Sequence, residues 1–323
     1  MLFALRVSWA RFVMSPIAVI AAYAATVLIW GTTWLGIKVS LLSIPPIAGA
    51  GFRFILAGLA LYAVALALRV DLRKNAAPWH LIVVLAVTMF GLNYALTYLA
   101  ETHLASGLVA VLFGTMPFFI FGFAHALIGE RANRATILGA VLAFAGVATI
   151  SLVGNARGDF FYVIAALIAS ASSGFANVYL KRFAASEPFA TLPPAMILAG
   201  VGLTASGLGF EHIDASRALA PVSLIALVYL ALCGSALAFY LNHWLLQRIT
   251  SGAMGLSALI IPVIAVAVGA FAGGERLNVR DGLGALLVIV GIWISLGRPL
   301  PILSMAGIRR TRPSIAPAGA PGD

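Results

Sequence analysis

The sequence predicts an all-α integral membrane protein in which ten transmembrane helices form two inverted five-helix repeats. Of its 323 residues, 62% are hydrophobic and 9% are charged, whereas about 25% of the residues of soluble domains are charged. The chain also contains ten apolar runs long enough to cross a bilayer, and its second half repeats residues of its first half. Such a composition excludes a soluble fold and a disordered chain.

The ten runs are separated by charged or Pro- and Gly-containing breaks. A helix needs about 20 apolar residues to cross a hydrocarbon core of about 30 Å. The predicted spans are 17–40, 47–68, 79–100, 104–128, 135–153, 160–181, 189–209, 222–247, 250–273 and 279–297. The first run is too long for the apolar core of a secretory signal, so we interpret it as a retained helix. The alternating segments of a membrane barrel are not seen.

The basic residues predict that both termini are cytoplasmic. Residues 1–16 then form a cytoplasmic N-terminal segment, and residues 298–323 form a mobile cytoplasmic tail. On the inner side lie Arg6, Arg11, Arg69, Arg73, Lys74, Arg131, Arg134, Lys181, Arg182, Arg248, Arg298, Arg309, Arg310 and Arg312; on the outer side lie only Arg157, Arg217, Arg276 and Arg280. Membrane proteins keep an excess of Lys and Arg on the cytoplasmic side. This cytoplasmic excess of Lys and Arg accounts for the net charge of +10. Nucleic acid is therefore not an expected partner.

The two halves of the chain align at an offset of 145 residues. The aligned pairs are Ser106-Gly107 with Ser251-Gly252, Pro117 with Pro262, Gly129-Glu130-Arg131 with Gly274-Glu275-Arg276, Asn133 with Asn278, Leu138-Gly139-Ala140 with Leu283-Gly284-Ala285, and Gly146 with Gly291. Each copy, at residues 17–153 and 159–297, contains five spans. Because five is odd, the second copy enters the membrane from the opposite side. Many secondary transporters consist of such inverted repeats around a central site.

Several repeated residues have a structural interpretation. We expect Pro117 and Pro262 to bend their helices. The four glycines at the aligned positions should let helices approach closely; they are Gly139, Gly146, Gly284 and Gly291. Glu130 and Arg131 are expected to stabilise a turn.

The candidate solute-binding residues are polar or aromatic side chains inside the spans. They are Trp30, Thr33, Trp34, Arg53, Asn93, Tyr94, Tyr98, Asn177, Tyr240 and Asn242. An amide that faces lipid is costly, so Asn93 and Asn177 should face protein or water. Arg53 either contacts an anionic group of a solute or extends to the interface, where it would tie helix ends. Trp30 either forms a cavity wall or packs between helices.

The acidic residues all lie in loops or at span ends, so no carboxylate is expected at the bilayer centre. If transport is coupled to protons, the candidates are Glu101, His125 and His243. Facilitated diffusion or exchange is an equal alternative.

Signatures of enzymes are absent from the sequence. It contains no His-Glu-x-x-His motif, no Gly-x-Ser-x-Gly motif and no P-loop. The five histidines are scattered over different segments. We therefore expect no enzymatic activity, no cofactor and no metal site. The expected partners are a small-molecule solute and the lipid bilayer, and the oligomeric state is open.

The segment Trp30-Gly31-Thr32-Thr33-Trp34 with Lys38, then Arg53-Phe54, and the pairs Gly129-Glu130 and Gly274-Glu275 resemble EamA-type members of the drug/metabolite transporter superfamily. The resemblance covers residues 17–297. It implies a secondary carrier of a bacterial inner membrane, often an exporter of amino acids or other small metabolites. It also implies that the first, third, fourth, sixth, eighth and ninth helices surround a central cavity. The second copy departs from the first, because Ser173 and Ala195 stand where Trp30 and Arg53 would be repeated.

The sequence therefore predicts a secondary transporter that exports a small organic metabolite, such as an amino acid or a related compound, by alternating access. A non-transporting membrane sensor or a lipid-handling protein on the same scaffold is the alternative. Flux across a sealed membrane separates the two.

Overall fold

The computed structural model describes residues 15–73, 76–104, 109, 112–151, 160–183, 185–212, 220–264 and 279–296. Within these residues the regular elements are all helices, as predicted. The predicted N-terminal segment, the C-terminal tail, and the repeated pair Gly274-Glu275 lie outside the described residues.

Among the described residues, six helices are long and apolar enough to cross a membrane, namely α1 (Pro16–Ser40), α2 (Pro46–Ala67), α3 (Trp79–His103), α6 (Phe160–Arg182), α7 (Pro188–Phe210) and α8 (Pro221–Leu246). Between and after them lie four further apolar helices, namely α4 (Met116–Ile128), α5 (Arg134–Ser151), α9 (Ser251–Ile264) and α10 (Val279–Leu296). Many large apolar side chains are exposed on these helices; Phe210 is 92% exposed and Trp293 is 76% exposed. Lipid is the solvent that such surfaces require.

Helix starts follow local sequence signals. Proline begins α1, α2, α7 and α8, where its missing N–H costs nothing and its fixed φ suits a first turn. Carboxylates from other segments also accept hydrogen bonds at helix starts. The Glu211 carboxylate accepts hydrogen bonds from the backbone amides of Ile47 and Ala48, both 2.8 Å long, at the start of α2. Glu130 accepts a 3.0 Å bond from the amide of Ser251 at the start of α9. This contact lies at the start of another helix, so the expected role of Glu130 in its own turn stays a prediction.

The prediction that Pro117 bends a continuous helix is wrong. A turn at Gly114 and Thr115 precedes α4, and Pro117 lies in the first turn of that helix. Its missing amide hydrogen therefore falls where an α-helix has no internal acceptor to offer. The fourth predicted span is interrupted at this point.

Two helices contain a π-helical segment, Leu85–Leu92 within α3 and Leu232–Leu237 within α8. A shift of 145 residues places the first segment on residues 230–237, so the two segments lie at matching places in the two repeats. Segments of this kind accommodate an extra residue in a helix and are frequent at functional sites.

Glycines bring α2 against α7 and α5 against α10. A methyl group added at Gly200 would lie 2.8 Å from the carbonyl oxygen of Gly51, and one added at Gly146 would lie 2.6 Å from that of Gly284. Gly139 meets Gly291 in the same way. The close approach predicted at these glycines of α5 and α10 is confirmed.

The order of the contacts gives the relative direction of α5 and α10. Gly139 meets Gly291 and Gly146 meets Gly284, so the two helices run antiparallel. The 145-residue offset equates Gly139 with Gly284 and Gly146 with Gly291. Each glycine therefore meets the repeat equivalent of the other, which is the reciprocal pattern produced by a two-fold axis.

Candidate solute-binding site

A cavity with about 810 Å³ of empty space, part of it open to the outside, lies between the two repeats. Its wall comes from α1, α2, α3, α4, α6, α8 and α9. Described residues that line it are Trp30, Thr33, Trp34, Ile37, Arg53, Asn93, Tyr94, Thr97, Phe113, Met116, Ile120, Ser173, Asn177, Phe239, Asn242, Met254, Gly255, Ser257, Ala258, Ile261 and Pro262. These are the helices that the resemblance implied, with α2 in addition.

Arg53 is the charged residue of this wall. It is 1% exposed, so its side chain does not extend to the interface. Its Nε donates a 2.7 Å hydrogen bond to Ser235 Oγ, its Nη2 donates a 3.2 Å bond to the carbonyl oxygen of Gly234, and its Nη1 donates a 3.3 Å bond to the hydroxyl of Tyr98. The guanidinium carbon also lies 4.8 Å from the ring centroid of Tyr94, within the range of a cation–π interaction. These partners are all neutral, so a full positive charge remains at the cavity wall.

The π-helical segments hold side chains from the opposite repeat. In α8 the carbonyl of Gly234 accepts the bond from Arg53 of the first repeat. In α3 the carbonyl of Thr88 accepts a 2.8 Å bond from the hydroxyl of Ser172 in the second repeat. A π-helical turn disturbs the regular backbone hydrogen bonds of a helix. In each of the two segments, a side-chain donor bonds one of the backbone carbonyls. Each π-helical segment thus bonds a side chain of the opposite repeat.

An amide relay lies at another part of the wall. Asn177 on α6 donates from Nδ2 to the carbonyl oxygen of Ser173 over 2.9 Å, and Asn242 on α8 donates from Nδ2 to Asn177 Oδ1 over 3.1 Å. The Oδ1 atom of Asn242 is buried and has no hydrogen-bond partner among the described residues. A buried polar atom without a partner is uncommon, and this one belongs to a residue of the cavity wall.

Aromatic rings form much of the remaining wall. The rings of Trp30 and Phe239 meet edge to face at 5.5 Å between centroids, and those of Trp34 and Phe113 at 6.0 Å. Within the described part of the chain, Trp30 Nε1 is buried and unpaired. Trp30 therefore both packs and lines the cavity, and it offers a free donor.

The sequence profile of the EamA-like transporter family matches residues 16–152 and 160–297, which is most of the chain. The chain belongs to the EamA-like transporter family. It is therefore a membrane transporter of the drug/metabolite type with two EamA repeats.

Relatives agree with this assignment to the EamA-like family. The chain is 30% identical over 291 residues, 85% of its length and 90% of the relative's, to "Uncharacterized inner membrane transporter YedA" of Escherichia coli K12. It is 26% identical over 285 residues, 84% of its length and 92% of the relative's, to "Probable amino-acid metabolite efflux pump" of Salmonella typhimurium LT2. A solved crystal structure matches with a TM-score of 0.75 at 21% identity, covering 86% of this chain and 97% of that one, which shows the fold. The EamA-family chain is accordingly a multi-pass inner membrane protein.

Most of the residues chosen from the sequence meet in the cavity of this EamA-family chain. Trp30, Thr33, Trp34, Arg53, Asn93, Tyr94, Asn177 and Asn242 line it. Tyr98 lies behind the wall and bonds Arg53. Tyr240 is not among the lining residues; its ring packs on Phe189 at 4.9 Å between centroids. On α8 the cavity faces Phe239 and Asn242, three residues apart, and the intervening Tyr240 points elsewhere because successive helical residues are rotated by about 100°.

Several lining residues of the EamA-family cavity were not chosen from the sequence. Phe239 and Thr97 follow from the 145-residue offset, because Phe239 aligns with Tyr94 and Asn242 with Thr97. Phe113 and Ser257 gave no signal, since a single Phe or Ser in an apolar run is ordinary. The proposed proton-coupling residues Glu101, His125 and His243 are not among the lining residues of this cavity.

Proposed function

We propose that the protein is a secondary transporter that exports a small organic metabolite, an amino acid or a related compound, by alternating access through the cavity between its repeats. The observation that carries this proposal is the buried Arg53 guanidinium, which lies in the wall of the cavity and whose hydrogen-bond partners Ser235, Gly234 and Tyr98 are neutral. Charged residues buried within membrane-spanning segments most often serve function. The name of the Salmonella efflux pump supports an amino-acid-related solute and export.

The proposed topology has ten spans in two inverted repeats with cytoplasmic termini. Support comes from the antiparallel, reciprocal glycine contacts between α5 and α10 and from the basic residues predicted on the inner side. Inverted repeats provide alternating access when the two halves exchange conformations. The antiparallel contacts of α2 with α7 have the same sense: Gly51 meets Gly200, while Gly58, further along α2, meets Pro193, further back along α7.

In this proposal the solute contacts Trp30, Trp34, Asn93, Tyr94, Asn177 and Asn242, and its anionic group binds Arg53. Thr33 contributes a hydroxyl to the same wall, Tyr98 acts by holding Arg53, and Tyr240 acts only from outside the lining. The aromatic wall favours solutes with an apolar or aromatic body.

The test is counterflow in liposomes. Purified protein is reconstituted and screened with radiolabelled amino acids and related carboxylates, with and without a pH gradient. We expect saturable counterflow, and Arg53→Gln should raise the KM for carboxylate solutes by about tenfold or more, because charge-assisted hydrogen bonds are lost. Arg182→Gln is the matched control, since Arg182 is exposed at the end of α6. Absence of flux across the panel, in protein shown to be folded, would instead favour a sensor or a lipid-handling protein.

Topology is tested by labelling. Single cysteines placed near Glu130 and Glu275 in a Cys233→Ser background should react with an impermeant reagent from opposite sides of the membrane. Labelling of both positions from one side would refute the inverted arrangement.

A further inference from the structure

The cavity wall has a surplus of hydrogen-bond donors near Arg53. A guanidinium has five N–H donors, and Arg53 uses one on each of its three nitrogens for Ser235, Gly234 and Tyr98. The two remaining N–H groups are the second ones on Nη1 and Nη2. A hydrogen-bond acceptor on the solute would therefore satisfy this part of the wall. A carboxylate can accept two parallel bonds from one guanidinium.

At the amide relay the free group is an acceptor, and its identity follows from the bonding pattern. Asn177 faces the carbonyl of Ser173, which only accepts, so the NH₂ group of Asn177 must point there. Its oxygen is then the atom that faces Asn242, which must present its own NH₂ group. The atom left unpaired among the described residues is therefore the oxygen of Asn242. Turning either amide group around would break this bonding pattern, because two acceptors or two donors would then face each other. Ser257 Oγ, also in the wall, is likewise unpaired among the described residues.

These two parts of the wall are separated along α8. Ser235, which bonds Arg53, precedes Asn242 by seven residues, which corresponds to roughly 10 Å of helix at about 1.5 Å per residue. Between them Phe239 contributes its ring to the wall, in edge-to-face contact with Trp30. A solute that binds at both places would therefore be elongated, with an apolar body beside these rings.

The charge of the wall discriminates further. Among the described lining residues Arg53 is the charged side chain, and the list contains no Asp or Glu. An ammonium group next to the carboxylate of a solute would lie close to the guanidinium without a counter-charge. Burying a charge without a partner is expensive, so an α-ammonium group weakens binding.

We propose that the preferred solute is a net-anionic organic acid that has an apolar, aromatic-sized body, a carboxylate at Arg53 and a neutral hydrogen-bond donor at Asn242, and that carries no ammonium group beside the carboxylate. This inference rests on the proposed function, because it concerns the same cavity. It predicts that a neutral or cationic amine binds weakly, and that a zwitterionic amino acid binds more weakly than the same acid without its amino group.

Four probes that share one skeleton test the proposal. They are 3-(4-hydroxyphenyl)propanoate, tyrosine, tyramine and 3-phenylpropanoate. Tyrosine adds an ammonium group to the first probe, tyramine replaces the carboxylate by an ammonium group, and 3-phenylpropanoate lacks the distal hydroxyl donor. Affinity is measured by calorimetry or tryptophan fluorescence on the purified full chain, and transport by counterflow in liposomes.

The first probe should bind about tenfold or more tightly than each of the other three, since each of them leaves a buried polar or charged group without its partner. Equal or tighter binding of tyrosine or tyramine would overturn the proposal. Equal or tighter binding of 3-phenylpropanoate would overturn the part of the proposal that places a hydrogen-bond donor of the solute at Asn242.

Substitutions test which residue of the wall binds each end of the solute. Asn242→Leu should reduce the ratio of affinities between 3-(4-hydroxyphenyl)propanoate and 3-phenylpropanoate to about one, because the acceptor is lost, while 3-phenylpropanoate retains its affinity as the internal control. An unchanged ratio refutes the assignment of Asn242. Arg53→Gln should abolish the preference for the acid over tyramine, and Arg182→Gln should keep it. If Arg53→Gln does not fold, Arg53→Lys should keep the preference with weaker affinity for the acid.

The outcomes separate this inference from the transport function. Ranked binding without counterflow supports the inference and refutes transport. Counterflow of tyrosine with weaker binding of the deaminated acid supports transport and refutes the inference. Neither binding nor flux of any probe refutes both.

Discussion

Substitution of Gly200 by alanine should destabilise the protein by separating α7 from α2. The added methyl group would lie 2.7 Å from the backbone nitrogen of Ile55 and 2.8 Å from the carbonyl oxygen of Gly51. Neither backbone atom can rotate away. Overpacking of this kind costs about 1–3 kcal/mol, against a gain of about 1 kcal/mol in helix propensity.

Gly202→Ala is the matched control, because it lies on the same helix and a methyl group there would meet nothing within 4 Å. Both variants gain the same helix propensity, so the difference between them isolates the overpacking. We expect Gly200→Ala to be less stable than Gly202→Ala by about 1–3 kcal/mol.

The assay is thermal unfolding of both variants and the parent chain in the same detergent, followed by loss of monodisperse protein. One kcal/mol corresponds to about 1–2 °C in the midpoint for a chain of this size, at an unfolding entropy of about 2.1 cal/mol/K per residue. A midpoint for Gly200→Ala equal to or above that of Gly202→Ala would show that the two helices separate at no cost, and the close approach of α2 and α7 would not be needed for stability.

Three further substitutions test other contacts by the same thermal assay. Glu211→Gln should cost about 1 kcal/mol, because the carboxylate that caps two amides of α2 loses its charge; an unchanged midpoint would contradict the cap. Ser235→Ala should lower the midpoint by an amount corresponding to about 1–3 kcal/mol and weaken carboxylate binding about threefold, since it removes one of the bonds that orient Arg53 and leaves a buried, charged N–H group without its partner; an unchanged midpoint and unchanged affinity would show that Arg53 is held by its other partners. Lys181→Met should lower the midpoint, because Lys181 bonds two carbonyls at the end of α8; the exposed Lys38→Met is its control.

The sequence was sufficient for the fold class because the apolar runs and their breaks record directly where helices can lie in lipid. It also identified eight of the 21 residues that line the cavity, since polar side chains such as Asn93 and Asn177 cannot face lipid and must gather inside. Both are buried, with 4% and 6% exposure. The two interpretations of Arg53 could not be separated in advance, because the reach of an arginine side chain depends on its neighbours in space.

The features that sequence reasoning missed depend on three-dimensional register. The sequence signal that each π-helical segment offers is a single glycine, Gly91 in α3 and Gly234 in α8. Glycine is common in membrane helices, so it does not predict a π-helical segment. The position of Tyr240 outside the lining depends on the exact rotation of α8. The interruption before Pro117 could be anticipated only as a bend, because proline at a helix start and proline inside a helix have the same local sequence.

The paired π-helical segments also have a consequence for how the sequence can change. Each segment stores one residue more than an α-helix of equal rise, so losing a single residue from Leu232–Leu237 would restore a regular helix and leave the residues after it in register. Phe239 and Asn242 would keep facing the cavity, whereas the carbonyl of Gly234 that accepts the bond from Arg53 would return to the backbone ladder of the helix. A one-residue deletion in this segment would thus alter how the guanidinium is held without moving the rest of the wall that α8 provides.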